Sequence, residues 1–404
     1  MNLTRPEAVG LCPQRLARIA DWADGWVASG RLPGITTLVA RRGQVAHLHS
    51  TGLADVARGT AMTPETVLRI YSMTKPLTSL ALLMLYEEGR FQLDDAITRF
   101  LPEFRDMRVA VGGARGKVET VPAIRDITFR DLLTHTSGLT YGFMQSTLVD
   151  GLYRDHGVDF QTAEASLAEV VGRLAGLPLI AQPGTAWNYS VSTDVIGHLV
   201  AVISGQPFDA FLRERVLRPL GMMETDFHVT EAQRPRFAAN YTRSPEGGLT
   251  LIDDPASSRF LTPPKVCSGG GGLVSTVGDY WRFCQLMLNR GVLDGTRLLG
   301  RKTVALMTAN HLNGDMAAMG QARWSESTAE GIGFGLGFSV MLNPARAQIT
   351  GTPGEFAWGG AASTAFWIDP AEEMAVILLT QMTPSSTYPI RRELRVLSYA
   401  AVVD

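Results

Sequence analysis

Ser72 and Lys75 stand three residues apart in the stretch RIYSMTKPL, residues 69–77, at the head of a long apolar segment. Residues at that interval share a face at the start of a helix, so the lysine amine can approach the serine hydroxyl and take its proton. For that the amine must be neutral, which needs burial or a neighbouring positive charge. The alternative is an ordinary helix start, with Ser72 as N-cap and Lys75 in solvent, although a cation in the first turn opposes the helix dipole. The chain has only four lysines, Lys75, Lys117, Lys265 and Lys302, against 22 serines. About 0.2 Ser-x-x-Lys matches are expected by chance, and this is the single one. Spacing alone leaves both readings open.

Other chemistry has less support. No serine has glycines at both i−2 and i+2, so the α/β-hydrolase nucleophile elbow is absent. The run GGGGLVST, from Gly269, lacks the lysine of a phosphate-binding loop and is read as backbone crowding near a cleft. His47 and His49 share one strand face with no third ligand in view, and His135 in LTHTSGL reads as a structural hydrogen-bonder. The three cysteines, Cys12, Cys267 and Cys284, are odd in number and widely spaced, which excludes a disulfide framework and offers no metal-ligand spacing. No metal or cofactor is expected.

The elements that must position these residues follow from pattern. Hydrophobic residues make up 45% of the 404 and charged residues 19%, a globular composition with length for a sizeable core. Net charge is −2 with both signs interspersed, so a nucleic-acid partner is not expected. No apolar run reaches the roughly 18 residues of a membrane helix, and the opening residues lack the pattern of a secretory signal. The expectation is therefore a cytoplasmic chain with no membrane partner.

Helical spacing predicts helices over 13–29, 72–88, 160–175, 190–204 and 207–219, a short one in TFRDLLTHTSGL, and one capped near Ser275 or Thr276. Hairpins are predicted around Arg42-Gly43, in MRVAVGGARGKVETVPAI and in FAANYTRSPEGGLTLI. The last hundred residues turn strand-like in GIGFGLGFSVML, AQITGT, STAFWIDP and MAVILLTQM, with a closing helix after SSTYP. Helix and strands, then helices, then strands and a helix suggest that both chain ends share one sheet around a helical insertion.

Taken in order, SMTK, DLLTHTSGL, PGTAWNYS, GGGGLVSTVGDYWRF and FAWGGAASTAFWIDP resemble the serine β-lactamase-like family, which includes class C β-lactamases, DD-peptidases and family VIII carboxylesterases. The resemblance spans roughly residues 15–385. It implies a β-lactamase/transpeptidase-like α/β plus α fold: an antiparallel sheet flanked by helices, with a helical insertion lobe. Residues 1–60 and 290–404 would form the α/β domain, 61–289 the mainly helical domain, and the active site would lie between them. By the same resemblance Ser72 is the acylated nucleophile, Lys75 its base, and Tyr189 the tyrosine that exchanges a proton with them and with the leaving group. A phenol titrates near 10, so as a proton acceptor it needs a cation beside it. WGGA, Trp358 to Ala361, would be the inner edge strand, with the N–H groups of Ser72 and Ala361 as the oxyanion hole. Trp358 would wall the pocket, while Gly359 and Gly360 would let a substrate approach the backbone.

Two departures bear on substrate. Val191 stands where the family pattern has an asparagine, and Trp358 where related β-lactamases carry a lysine. Both losses remove polar recognition and favour a neutral ester over an anionic lactam or a peptide. The expectation is a serine carboxylesterase acting on small, neutral, short-acyl esters through an acyl-enzyme on Ser72. A transacylase, a weak β-lactamase, a D-amino-acid amidase and a non-catalytic ligand-binding protein are the alternatives. The loops 233–268 and 314–330 are expected to frame the cleft.

Overall fold

The computed structural model describes residues 1–114, 116–324 and 327–404. Arg115, in the expected turn of the second hairpin, and Ser325 and Glu326, in the expected cleft loop, lie outside the described residues. Both ends of the chain build one antiparallel sheet of eight strands. The N-terminal part contributes β1 (Gly34–Arg41), β2 (Gln44–Asp55) and β3 (Thr60–Ala61). The C-terminal part contributes β4 (Ile332–Phe334), β5 (Ser339–Met341), β6 (Phe356–Gly359), β7 (Ala365–Asp369) and β8 (Met374–Thr380). Their spatial order is β4-β5-β6-β7-β8-β1-β2-β3.

Burial on both faces explains why the central strands read as continuous apolar runs. Side chains alternate across a strand. In β8, Met374, Val376 and Leu378 join the core under the terminal helices, while Ala375, Ile377 and Leu379 join the larger core of the helical lobe. The first of these cores is covered by α1 (Pro13–Ala28) and the C-terminal helix Ile390–Ala400. Trp22 and Trp26 of α1 both donate to Glu393 Oε2, at 2.7 and 2.9 Å, and fasten the two helices together. Each fully buried aliphatic side chain of this kind contributes about 1.5–3 kcal/mol. The hairpin from β1 to β2 closes through Arg42 and Gly43, both with positive φ (52° and 75°), as a two-residue turn matched to the strand twist requires.

The helix that carries the serine–lysine pair is α2 (Thr74–Glu87), preceded by a 3-10 turn at Tyr71–Met73. Every residue from Thr74 to Leu85 is buried, which is why the helix is apolar all round rather than on one stripe. Pro76 falls in the first turn, where backbone N–H groups have no partner anyway, and Gly89 at φ 71° ends the helix. The N-cap position is Met73, so Ser72 is not a capping residue. Two more helices pack nearby: α3 (Ser192–Ser204), and α4 (Val277–Leu288), whose Thr276 side chain accepts from Asp279 N.

Several expectations differ from the structure, each for a local reason. Of residues 160–175 only Leu167–Ala175 is helical, because Ser166 and Glu169 form a capping box that fixes the start. A helix at Leu148–Asp155, begun by the same device at Thr147 and Asp150, was not foreseen. The span 207–219 divides into Phe208–Leu212 and a π-helical turn at Arg213–Leu217. AQITGT is not a strand: Pro344 and the Asn343 side chain start a helical turn at Pro344–Ala347, and Gln348 at φ 54° ends it. WGGA does not lie at the sheet edge, since β6 is third in the order; β5, however, pairs with Phe356 and Ala357 alone.

Candidate active site

A short antiparallel ribbon brings two distant stretches to the head of α2. Leu68 and Arg69 pair with Ser275 and Val274, and Ile70 N donates to Leu273 O at 3.1 Å. Arg69 anchors the ribbon from a fully buried position. Its Nε meets Asp253 Oδ2 at 2.6 Å, Nη1 donates to Ala238 O at 2.6 Å, and the guanidinium lies 4.0 Å from the Phe237 ring centre. Tyr71 then adopts φ 42°, a left-handed value uncommon for an aromatic residue, and turns the chain immediately before Ser72. Strain at such a point is a recurrent property of functional sites.

Ser72 Oγ receives a hydrogen bond from Tyr189 OH at 2.5 Å and one from Lys75 Nζ at 3.3 Å. Lys75 is 1% exposed; Nζ also donates to Gly270 O at 2.6 Å and lies 4.5 Å from the Tyr189 ring centre. The three residues singled out as catalytic therefore meet at one oxygen. Tyr189 arrives there because residues 180–191 run beside 135–140, with Ile180 N on Gly138 O, Asn188 N on His135 O and Val191 N on Thr140 O. Gly138, at φ 83°, makes this approach possible: a methyl there would sit 2.2 Å from Ala181 O.

His135 supports Tyr189 from behind. Its Nδ1 is 3.1 Å from Ser190 Oγ and its ring centre is 5.2 Å from that of Tyr189. Burial, and secondly the neighbouring Lys75, hold the imidazole well below its usual range, so it stays neutral. His47 and His49 lie elsewhere, on β2: His47 pairs with Thr37 Oγ1 and His49 with Asp24. Among the described residues no group of three or more His, Cys, Asp or Glu side chains could hold a metal ion.

Two site residues escaped sequence reasoning. Tyr141 has its ring centre 5.1 Å from that of Tyr189. Burial, followed by Tyr189 and Asp194, pushes its pKa well above the ordinary phenol value. Asp194 is 1% exposed, and its Oδ1 accepts from Ser268 Oγ at 2.5 Å and from Gly270 N at 3.0 Å. Burial raises its pKa, with Lys75 and the two donors pulling the other way. Asp194 thus holds the N–H of the same residue whose carbonyl holds Lys75. An aspartate in the first turn of a helix reads in sequence as a dipole partner, and nothing local distinguishes this one.

The glycines serve the protein's own packing. A methyl at Gly269 would sit 2.6 Å from Thr193 O, and one at Gly270 2.4 Å from Asp194 Oδ2. At Gly360 it would meet Ile70 O and Thr364 Oγ1, both at 2.3 Å, and at Gly359 Arg391 Nη2 at 2.8 Å. The side-chain directions of both glycines are filled by the protein's own atoms, and at Gly360 this lets the end of β6 press against the backbone two residues before Ser72. Ala361, which is exposed, follows directly on that contact with the turn that carries Ser72. Among the described residues neither Ala361 N nor Ser72 N donates to the protein, leaving both N–H groups available to an oxyanion.

Trp358 packs 5.7 Å from Tyr189 and 5.3 Å from Phe334, ring centre to ring centre, as a wall of the tyrosine's surroundings. Val191 is a core side chain, 2% exposed at the head of α3. Its contribution to substrate binding is thus not direct contact at an open surface. The arrangement supplies what acyl transfer needs: a hydroxyl with two proton-exchanging neighbours and two free N–H donors close by.

The chain is similar to several known proteins along most of its length. Protein Rv1367c of Mycobacterium tuberculosis (strain ATCC 25618 / H37Rv) is 36% identical over 366 residues, covering 88% of this chain and 87% of its own. Esterase EstB of Burkholderia gladioli is 33% identical over 382 residues, 90% of each chain. Among solved structures, EstCE1, described as a hydrolase with promiscuous acyltransferase activity, superposes with a TM-score of 0.80 at 27% identity, covering 96% of this chain and 99% of its own. The family model described as Beta-lactamase matches residues 19–401. The chain belongs to the beta-lactamase family and has its fold, a large antiparallel sheet flanked by helices.

Proposed function

We propose that this protein is a serine carboxylesterase that hydrolyses small, neutral, short-acyl esters through an acyl-enzyme on Ser72. The single observation that carries the reading is the convergence of Tyr189 OH and Lys75 Nζ on Ser72 Oγ, at 2.5 and 3.3 Å. Ser72 Oγ attacks the ester carbonyl carbon as its proton passes into the Lys75–Tyr189 pair. The oxyanion that forms is held by the N–H groups of Ser72 and Ala361, and each such donor is worth about 2.7–4 kcal/mol in the transition state. When the C–O bond breaks, Tyr189 returns the proton to the departing alkoxide. Water then repeats the sequence on the acyl-enzyme and releases the acid. Likeness to EstB supports an ester substrate. Trp358 in place of a lysine supports a neutral one, since no ammonium is provided there for a lactam carboxylate.

A second reading, transfer of the acyl group to an alcohol instead of water, is favoured by the likeness to EstCE1 and its described acyltransferase activity. The test uses p-nitrophenyl acetate and butyrate with the wild type and Ser72→Ala. Hydrolysis by the wild type with a Ser72 acyl adduct in the mass spectrum is the expected result, and equal turnover by both proteins overturns the proposal. Adding an alcohol and measuring its ester separates transfer from hydrolysis. Nitrocefin tests for lactam cleavage, which should be slow.

A further inference from the structure

A hollow of about 470 Å³ opens beside the glycine run. Ser268 and Gly272 line it, two residues either side of the Gly270 whose carbonyl takes Lys75 Nζ. Its apolar lining includes Phe160, Phe227, Phe260 and Val266, and its charged side chains are Arg259, Lys265 and Glu164. Lys265 and Glu164 satisfy each other, Nζ to Oε2 at 2.6 Å.

Arg259 has no such partner. Its Nη1 donates to Gln161 O and its Nη2 to Gln161 Oε1 at 2.8 Å, both neutral acceptors, and among the described residues no carboxylate comes within ion-pair distance. Asp159 and Asp253 act on it only at longer range. Asp253 is engaged by Arg69 at 2.6 Å, and Asp159 accepts from Gln161 N at 2.8 Å. The guanidinium lies 4.7 Å from the Phe260 ring centre, on a residue that is otherwise exposed. A guanidinium placed this way, reachable from a cavity and facing aromatic walls without a counter-ion, matches a planar carboxylate in geometry and charge.

The hollow is tied to the nucleophile. A methyl at Gly271 would sit 2.9 Å from Gln161 Nε2 and 3.7 Å from the Tyr71 carbonyl carbon. Tyr71 precedes Ser72, so the residue that steadies Arg259 packs on the same glycine as the catalytic turn.

We propose that this hollow binds a carboxylic acid of apolar or aromatic body, distinct from the neutral ester that is cleaved at Ser72, with the carboxylate on Arg259 and the body against the phenylalanines. That it lies beside a catalytic centre rests on Ser72 being the nucleophile; the binding itself does not. The experiment therefore uses the full chain carrying Ser72→Ala, titrated by calorimetry with 3-phenylpropionate and with the neutral 3-phenylpropionamide, and repeated with Arg259→Gln or Arg259→Lys added. The acid should bind about tenfold or more tightly than the amide, the loss expected when a charge-assisted hydrogen bond is missing. Arg259→Gln should erase that preference, and Arg259→Lys, which keeps the charge without the fork, should retain part of it. Equal binding of acid and amide, binding of neither at millimolar concentration, or a preference that survives Arg259→Gln overturns the proposal. Equal ester hydrolysis by the wild type and Ser72→Ala would instead overturn the esterase reading and leave this binding site standing.

Discussion

Replacing Tyr189 by phenylalanine separates the chemistry of the site from its packing. The hydroxyl donates to Ser72 Oγ at 2.5 Å, while the ring keeps its contacts with His135 at 5.2 Å and Trp358 at 5.7 Å. One hydrogen bond sets the stability loss at about 0.5–1.5 kcal/mol. Loss of a positioned proton donor lowers kcat by about 10²–10⁴, or about 2.7–5.5 kcal/mol of barrier. The second quantity exceeds the first, so the variant should fold and be slow. Urea denaturation measures one and kcat the other. Leaving group gives a further check: a p-nitrophenyl ester departs without protonation, so Tyr189→Phe should slow ethyl butyrate more than p-nitrophenyl butyrate. A kcat within about tenfold of the wild type, or equal losses on the two esters, would refute the role given to Tyr189 in protonating the leaving group.

Three further outcomes follow from the same packing. Gly270→Ala places a methyl 2.4 Å from Asp194 Oδ2 and 3.0 Å from Tyr141 OH, so it should cost about 1–3 kcal/mol by overpacking. It should also lower kcat by displacing the carbonyl that holds Lys75, as paired melting and kinetic measurements would show. Arg69→Met removes the buried partner of Asp253 and the donor to Ala238 O, and chemical denaturation should register a loss of about 3–5 kcal/mol. Asp279, at the start of α4, has its pKa pushed up to about 6 by burial. Between the ordinary aspartate value and 6 the folded state binds more protons than the unfolded, so its contribution to stability falls as pH rises through that window. His47, brought down to about 4 by burial, works in the opposite sense, its contribution being lost as pH falls. Asp279→Asn should therefore make stability rise more steeply with pH between about 4 and 6, measured as Tm against pH; an unchanged slope would count against the burial argument.

Legibility in the sequence divides by range of interaction. The Ser72–Lys75 spacing, the apolar α2 above it, the turn at Arg42 and Gly43 and the strand β8 were all readable, because each follows from residue type, backbone periodicity or φ demands within a few residues. The capping boxes at Thr147 and Ser166 were equally local and could have been found by the same signs, Ser or Thr followed three residues later by an acid. Tyr189 was legible through family resemblance alone, since nothing in its own neighbourhood marks a tyrosine as facing a serine 117 positions away. Gly270 is 195 positions from the lysine it holds. Asp194 and Tyr141 gave no sign at all.

What the sequence determined by itself was therefore the serine–amine pair and the elements that carry it. Only the tertiary structure decided which partners those two atoms have, that Gly359 and Gly360 accommodate the protein's own backbone and Arg391, and that Val191 belongs to the core. The physical reason is that a three-residue interval fixes a distance within one turn of helix, whereas distances between remote segments depend on how the sheet and the helical lobe pack as a whole.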